Sequence, residues 1–384
     1  MGNDPHNFWR PLGSGTLPAI SSSPNTVQKR SLLLHDLLPG IPNKIALRDV
    51  STKLSWKDFH VLSAVSRGWR HAIRGRDVYN ARVLLQTRET LALIYYGKHY
   101  DGYQLALYSL RDGSSYLLPS IPGREAGLPE WCECVSVDGR IYVIGGVRNL
   151  SDIHSGEAHV LDLAGQVGWK LCAGMGDAHY NFHRSVLHGK IYVFEADEGQ
   201  DHRCGEVYDP KTNTWSPFRT PKWCNPRHKV ESLQEQLFLF TGRFKPPVAP
   251  DFLASHPVKE ELRKHNLALT DEEHPFVAQG KLHSLGPHSI SVYNSDRNSW
   301  SELHTFSFAE NVNNVHTRLF DVQAVDEELF ALWGWSGGDE DGFGFLQSKG
   351  FGGDTKEILW EKVPLDFATD CMTPILCSLS TVQL

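Results

Sequence analysis

A motif that joins a tight turn, a short apolar run and a terminal glycine recurs along this chain and constrains its fold more than any other feature. In the clearest copy, Asp138-Gly139 precedes the apolar residues 141–144, and Gly145-Gly146 follows them. Asp-Gly favours a hairpin, Val, Ile and Tyr favour a strand, and a glycine pair ends it. The related apolar runs occupy residues 91–94, 191–194, 237–240 and 329–332.

A second strand signature follows each run, and a tryptophan comes shortly after it in the clearest copies, at Trp169, Trp215 and Trp300. A period of about 50 residues with several strands per unit is typical of β-propeller blades. The five recognisable units resemble kelch repeats over residues 90–384. The resemblance implies a mostly β fold, a kelch-type propeller of five or six blades. Unrelated strands in a β-sandwich are the alternative, but a sandwich would not keep this register.

The bulk composition favours a soluble protein of the cytoplasm or nucleus. The seven cysteines are odd in number and have no paired Cys-x-x-Cys spacing, and no secretory signal or apolar stretch long enough for a membrane span is seen. The net charge of −7 is uneven, because residues 1–90 carry 13 Lys or Arg against 6 Asp or Glu. These basic residues occur singly, without interleaved aromatic residues, so an acidic protein partner is favoured over nucleic acid.

Two segments precede the repeats. Residues 1–30 are rich in Pro and Ser and are expected to be disordered. In residues 39–80, Pro42 permits a helix start and Ser55 with Asp58 resembles a capping box. Leu62, Val65, Trp69 and Ile73 follow at helical spacing, which predicts one apolar stripe. About forty residues of short helices are expected to need a partner to cover it.

The order Ile41-Pro42, Ile45, then Val65-Ser-x-x-Trp69-Arg70 resembles an F-box, the helical motif that docks on a Skp-type adaptor of cullin–RING ubiquitin ligases. Departures are Ile41 for the usual Leu, Asp49 at a commonly apolar position, and Gly68 inside the last helix. A small helical subdomain that packs on the propeller is the alternative. Residues 81–90 are expected to be a helical linker. The resemblance implies these adaptor-binding residues: Pro42, Ile45, Leu47, Leu62, Val65 and Trp69.

An F-box followed by a kelch propeller resembles the plant F-box/kelch-repeat proteins. The family implies a non-catalytic substrate-recognition subunit of a Skp–cullin–F-box (SCF) ubiquitin ligase. Its F-box would bind the Skp-type adaptor, and through it the cullin and RING subunits, while the propeller captures the protein to be ubiquitinated. No cofactor is implied. A kelch scaffold that binds a protein partner without ligase function is the alternative.

The meander of strands in each blade predicts where the partner binds. Since neighbouring strands alternate in direction, the short Asp-Gly type turns share one face, and the longer loops and the links between blades share the other. Residues 243–287 are interpreted as a loop insertion with a helix near 258–265, and the chain's last residues as the strand that completes the first blade. The candidate substrate-binding residues on the longer-loop face are Arg148, His183, Arg184, Arg203, Trp223, Arg227, His228, Arg243, Arg318 and Trp335.

Several patterns resemble catalytic or metal sites, but none is favoured. Residues 334–338 match the Gly-x-Ser-x-Gly nucleophile elbow, which needs a helix after the turn, and the following residues are poor helix formers. His179 and His183 have a metal-ligand spacing but lie between blades without an acidic companion. Some kelch propellers are copper radical oxidases, yet no Tyr–Cys and His constellation stands out. The sequence therefore predicts no catalytic residue and no metal site.

Overall fold

Short helices come first in the chain and antiparallel strands follow, in the order that the sequence predicts. They form two units: a helical unit of residues up to Glu89 with Asp162–Gly168 and Leu384, and a propeller unit of Thr90–Leu161 and Trp169–Gln383. The predicted disordered tail, residues 1–30, lies outside the described residues. The computed structural model describes residues 36–51, 53–98, 102–109, 111–124, 127–129, 131–147, 155–177, 182–195, 204–219, 229–239, 251–256, 259–266, 273–294, 296–297, 299–306, 316–325, 327–336, 342–352, 357–363 and 376–384.

The helical unit starts where the sequence predicts. Helix α1 begins directly after Pro42, a residue that suits the first turn of a helix. The capping box is confirmed, since the Ser55 backbone N–H donates to Asp58 Oδ2 at 3.1 Å. The elements are α1 (Asn43–Ser51), a 3-10 turn (Trp56–Asp58), α2 (Phe59–Val65), α3 (Arg67–Arg74) and α4 (Asp77–Leu85).

The helical unit buries a core of its own, so the expectation that Leu62, Trp69 and Ile73 need a partner to cover them is wrong. Of its eight buried residues, one precedes α1, one lies in α1, two lie in α2, three in α3 and one in α4. The largest of them, Trp69, is 1% exposed. The cluster comprises Leu37, Ala46, Phe59, Leu62, Trp69, Ala72, Ile73 and Val78.

Six blades of four antiparallel strands, here blades 1 to 6, form the propeller unit within the described part of the chain; four of them are separate sheets and two share an eight-stranded sheet. Blade 1 combines both ends of the unit, because β24 pairs with β1 from Gln383 opposite Thr90. The prediction that the last residues of the chain complete the first blade is therefore confirmed. The blade consists of β24 (Leu376–Gln383), β1 (Thr90–Lys98), β2 (Gly102–Ser109) and β3 (Ser115–Leu117).

Blades 2 and 3 follow the predicted repeat closely. The Asp138-Gly139 turn joins β4 to β5, and the glycine pair that ends β5 has φ values of 66° at Gly145 and 92° at Gly146. Because residues with a side chain rarely adopt a positive φ, both positions favour glycine. The strands are β4 (Glu133–Val137), β5 (Arg140–Ile144), β6 (Ala158–Asp162) and β7 (Val167–Leu171) in blade 2, and β8 (Phe182–Leu187), β9 (Lys190–Glu195), β10 (Cys204–Asp209) and β11 (Thr214–Arg219) in blade 3.

Blade 4 corrects the predicted insertion. Within residues 243–287, the segment Asp251–His256 pairs with the strand before it and Lys259–Asn266 pairs with Asp251–His256. The prediction of a helix near 258–265 is wrong. Lys, Glu and Arg residues favour a helix, but an outermost strand also tolerates them, because one of its edges is open to solvent. The blade consists of β12 (Val230–Leu233), β13 (Gln236–Leu239), β14 (Asp251–His256) and β15 (Lys259–Asn266).

Blades 5 and 6 complete the series and share one sheet. Strands β19 and β23 pair in parallel at Thr305 with Glu357 and at Phe306 with Ile358, so the outer strands of the two blades are joined. The strands are β16 (His274–Ala278), β17 (Lys281–Leu285), β18 (Ser289–Asn294) and β19 (Ser299–Phe306) in blade 5, and β20 (His316–Val325), β21 (Glu328–Ser336), β22 (Gly342–Lys349) and β23 (Glu357–Val363) in blade 6.

The innermost strands close a ring around a central channel: β24 contacts β4, and the contacts continue through β8, β12, β16 and β20 back to β24. Adjacent blades pack through aromatic side chains, for example Tyr142 with Tyr208 at a centroid distance of 5.7 Å and Tyr108 with Phe345 at 5.4 Å. We call the end with the Asp138-Gly139 type turns the turn face. The opposite end, where the innermost strands begin, is the loop face. The fold is therefore a closed kelch-type propeller, as predicted.

Candidate functional site

Two pairs of apolar side chains remain exposed on the first half of the helical unit. Val61 and Val65 of α2 are 54% and 66% exposed, and residues four apart lie on one face of a helix. Ile41, two residues before α1, and Ile45, in the first turn of α1, are each 41% exposed. We call these four residues the exposed apolar pairs. Exposed apolar side chains beside a well-packed core are suited to contact with another protein.

The six predicted adaptor-binding residues divide between this surface and the core. Pro42, Ile45 and Val65 are exposed, and Leu47 is half-buried against the core. Leu62 and Trp69 are buried, so the prediction that they lie on an exposed stripe is wrong.

The physical reason is a helix break at Ser66. Its backbone is extended (φ −154°, ψ 162°), and its Oγ accepts the Trp69 N–H at 3.2 Å, which caps the start of α3. Val65 and Trp69 therefore belong to different helices and no longer share a face. The sequence reasoning missed Val61 and Ile41, although Val61 lies four residues before Val65 and could have been found from that spacing.

The candidate substrate-binding residues are described only in part. His183 and Arg184 lie near the start of β8, and the backbones of Arg318 and Trp335 lie far from the β20–β21 turn, so all four positions are at the loop-face end. Their role in binding stays a prediction. The candidates outside the described residues are Arg148, Arg203, Trp223, Arg227, His228 and Arg243.

Five charged side chains meet inside the ring of innermost strands, near its loop-face end. We call them the channel cluster: Glu133 of β4, Arg184 of β8, Lys229 and Glu231 at the start of β12, and Asp321 of β20. Lys229 Nζ lies 2.9 Å from Asp321 Oδ1, donates to the Val322 carbonyl at 3.0 Å and lies 3.1 Å from Glu231 Oε1. Because β16 separates β12 from β20 in the ring, Lys229 reaches past one blade.

Burial sets the electrostatics of the channel cluster. Desolvation raises the pKa of Glu133 from 4.5 to about 7; Arg184 and Lys229 oppose the shift, and Asp321 adds to it. Burial alone would lower the pKa of Lys229, but Asp321 and Glu231 outweigh it and raise the pKa above its usual value. The Lys229 side chain is therefore a firmly charged centre, whereas the charge of the Glu133 carboxylate changes near neutral pH.

Trp131, close to Glu133 of the channel cluster in sequence, is exposed. It lies two residues before Glu133, in the link between β3 and β4, and is 55% exposed with φ 60°. A bulky residue at positive φ is uncommon. An indole held at the surface is a type of side chain that often anchors protein interfaces, and sequence reasoning missed it because Trp131 lies outside the repeat motif.

Two carboxylates hold neighbouring loop-face segments in place. Glu206, 4% exposed, accepts the Gly176 N–H at 3.0 Å and the Asp177 N–H at 2.9 Å, and so fixes the link that follows β7. Arg124 forms an ion pair with Glu157 between the β3–β4 link and the start of β6. The described part of this face is therefore pre-organised, which lowers the entropic cost of binding.

Among the residues that the structure describes, the catalytic-looking motifs are not assembled into a site; His179 lies outside those residues. Ser336 is the last residue of β21, and the next described element is strand β22 rather than the helix that a nucleophile elbow needs. Within the described residues, no group of three or more His, Cys, Asp or Glu side chains is arranged to hold a metal ion. No described helix is long and apolar enough to cross a membrane.

Sequence comparisons identify relatives for this two-part arrangement. One F-box/kelch-repeat protein of Arabidopsis thaliana is 31% identical over 191 residues, which cover 47% of this chain and 50% of the relative. A second is 29% identical over 234 residues, with 59% and 82% covered, and a third is 25% identical over 194 residues, with 49% and 50% covered. These matches support the plant-type F-box/kelch-repeat family. The resemblance stated from the sequence is thereby confirmed, and we refer to the helical unit as the F-box unit.

The alignments span about half the length of the first and third relatives. No family model matches the chain. A solved structure titled "Structure of YjhT" aligns with a TM-score of 0.48 and 13% identity, over 69% of this chain and 96% of that chain.

Proposed function

We propose that this protein is the substrate-recognition subunit of an SCF ubiquitin ligase. The F-box unit binds a Skp-type adaptor, and through it the cullin and RING subunits, while the kelch propeller binds the protein to be ubiquitinated. The protein itself contributes binding and not chemistry. Cys132, Cys134 and Cys172 carry free thiols, which suits the reducing environment of the cytoplasm or nucleus, where we expect the protein to act.

The observation that carries the adaptor half of the proposal is the pair Val61 and Val65. Their side chains are more than half exposed, although the same short helix buries Phe59 and Leu62. Leaving two valines in water on one helix face is unfavourable unless a partner covers them, at roughly 25 cal/mol per Å² of apolar surface. Ile45 and Pro42 of the F-box unit are exposed as well and offer further apolar area to a partner.

The substrate half rests on the loop face of the propeller. The channel cluster, the exposed Trp131 and the anchored links give this face charge, an aromatic side chain and rigidity. Fixed loops on a rigid β-scaffold are where binding residues usually lie.

Adaptor binding is tested with the purified full-length chain and a plant Skp-type adaptor in isothermal titration calorimetry. We expect Val65→Lys to weaken binding at least tenfold, because it places a charge in an apolar contact. The combination of Val61→Lys with Val65→Lys should abolish measurable binding. The melting temperature should change little, because both side chains are already in water.

Leu171→Lys is the matched control, because Leu171 is 68% exposed but lies on β7 of the propeller. It should leave adaptor affinity unchanged. If the double variant binds the adaptor as the unmodified chain does, the exposed apolar pairs are not the contact surface. If the unmodified chain binds no Skp-type adaptor, the protein is a kelch scaffold without ligase function.

A further inference from the structure

The channel cluster carries an excess of negative charge. It contains three carboxylates, Glu133, Glu231 and Asp321, and two cations, Arg184 and Lys229. Lys229 already contacts two of the carboxylates at 2.9 and 3.1 Å. Buried or half-buried charges are stable only when they are paired, so the cluster as a whole favours the approach of one more cation.

Glu133 is where the pairing is weakest. Within the described residues its carboxylate has one ion pair, with Arg184 Nε at 3.4 Å, whereas strong charge-assisted contacts are about 2.7–2.9 Å long. The same Arg184 Nε donates to the Cys134 carbonyl at 3.1 Å. The Glu133 side chain is 22% exposed, so part of it is accessible to solvent. The raised pKa of Glu133 agrees with this incomplete compensation.

An aromatic residue lies close to Glu133 along the chain. Trp131 precedes Glu133 by two residues, so their Cα atoms lie no more than about 7 Å apart. The indole is 55% exposed. Carboxylates and accessible indoles both suit ammonium and guanidinium groups, because a carboxylate supplies the counter-charge and the face of an indole ring attracts the cation.

We propose that the loop-face end of the channel binds a Lys or Arg side chain of the captured protein, with Glu133 as the counter-charge and Trp131 as the aromatic contact. That the captured protein is a ubiquitination substrate rests on the proposed function. The cation site itself does not. The propeller would then select partners that present a basic side chain to the channel, and the surrounding loops would make further contacts.

The test uses the full chain and an acetylated, amidated tetra-arginine peptide, with tetra-citrulline as the neutral isostere, titrated by calorimetry at low salt. At pH 8 the arginine peptide should bind and the citrulline peptide should not. Between pH 8 and pH 6 the affinity should fall about tenfold, because a carboxyl with a pKa of about 7 loses most of its charge over that interval. Electrostatic binding of this kind should also weaken as salt is added.

Two variants assign the site. Glu133→Gln should weaken binding at pH 8 at least tenfold and remove the pH dependence, while Trp131→Ala should weaken it two- to fivefold and keep the pH dependence. Trp131→Phe should restore part of the loss. The matched control is Glu235→Gln, since Glu235 is 74% exposed on the turn face and should not affect binding. Melting temperatures verify that each variant is folded.

Three outcomes would overturn the proposal: no binding of the arginine peptide at pH 8, equal binding of the citrulline peptide, or undiminished binding by folded Glu133→Gln. Adaptor titrations with the same proteins separate this inference from the proposed function. Both channel variants should bind a Skp-type adaptor normally. If the chain binds no adaptor but shows the expected peptide results, the ligase role fails and the cation site stands.

Discussion

Glu133 offers a sharp test of the electrostatics of the channel, because its folded-state pKa implies a cost in stability. The folded protein holds a proton on this carboxyl up to a pKa of about 7, whereas the unfolded chain releases it near 4.5. A group whose pKa is raised on folding contributes its full stability below the unfolded pKa. That contribution falls as pH rises from 4.5 and is lost above about 7. A shift of this size corresponds to about 3 kcal/mol at most.

Glu133→Gln should therefore stabilise the protein at alkaline pH. The amide mimics the protonated carboxyl and avoids the cost of a half-buried negative charge. We expect the variant to exceed the free energy of unfolding of the unmodified chain by less than about 1 kcal/mol at pH 5 and by up to about 3 kcal/mol at pH 8. Urea unfolding followed by tryptophan fluorescence at pH 5, 6, 7 and 8 measures this difference, and equal m-values verify that the comparison is valid.

Glu231→Gln is the control within the same cluster. Its carboxylate lies 3.1 Å from Lys229, so losing that charge should give no gain at pH 8. If Glu133→Gln is no more stable than the unmodified chain at pH 8, the Glu133 charge is fully compensated in the folded protein. Glu133 would then need no further cation, and the proposed cation site would not exist. A gain in stability combined with a loss of peptide binding would instead show a site whose function costs stability.

Two further changes test the packing. Trp69→Ala should destabilise the F-box unit by about 3–5 kcal/mol, because it removes a side chain that is 1% exposed. Thermal melting followed by circular dichroism measures this loss. An unchanged melting temperature together with lost adaptor binding would show that Trp69 is an exposed anchor. Gly205→Ala should lower stability by about 1–3 kcal/mol in urea unfolding, since its Cβ would lie 2.2 Å from the Phe218 ring. Gly168→Ala, in β7, has no atom within 4 Å of the new Cβ and should be neutral, so equal losses for the two variants would contradict the packing argument.

The repeat motif was sufficient to predict most of the propeller, because its turns and glycines impose local conformations. The Asp138-Gly139 turn and the positive φ of Gly145 and Gly146 are short-range constraints that a sequence displays directly. Blade 4 was missed for the opposite reason. Strand β15 has the composition of a helix, and pairing with β14 decides its conformation.

The candidate site was harder to predict, since it depends on contacts between distant segments. In the sequence, the helix break at Ser66 is indicated only by a serine three residues before Trp69, which is a capping signal. The regular apolar spacing across this break favoured a continuous helix instead. The channel cluster did leave a trace in the sequence. Glu133, Lys229 and Asp321 each lie four residues before the end of an innermost strand, so a charge at that place recurs in three repeats. Only the closed ring shows that these positions meet.

The pairing of β24 with β1 affects how the protein is made. Strand β1 begins at Thr90 and its partner ends at Gln383, so the inner edge of β1 stays open while the intervening chain is synthesised. At about 5–20 residues per second this takes roughly 15–60 s on the ribosome. An open strand edge can pair with another chain during that time, which makes the nascent protein a client for chaperones. If translation stops anywhere before Leu376, blade 1 lacks its innermost strand.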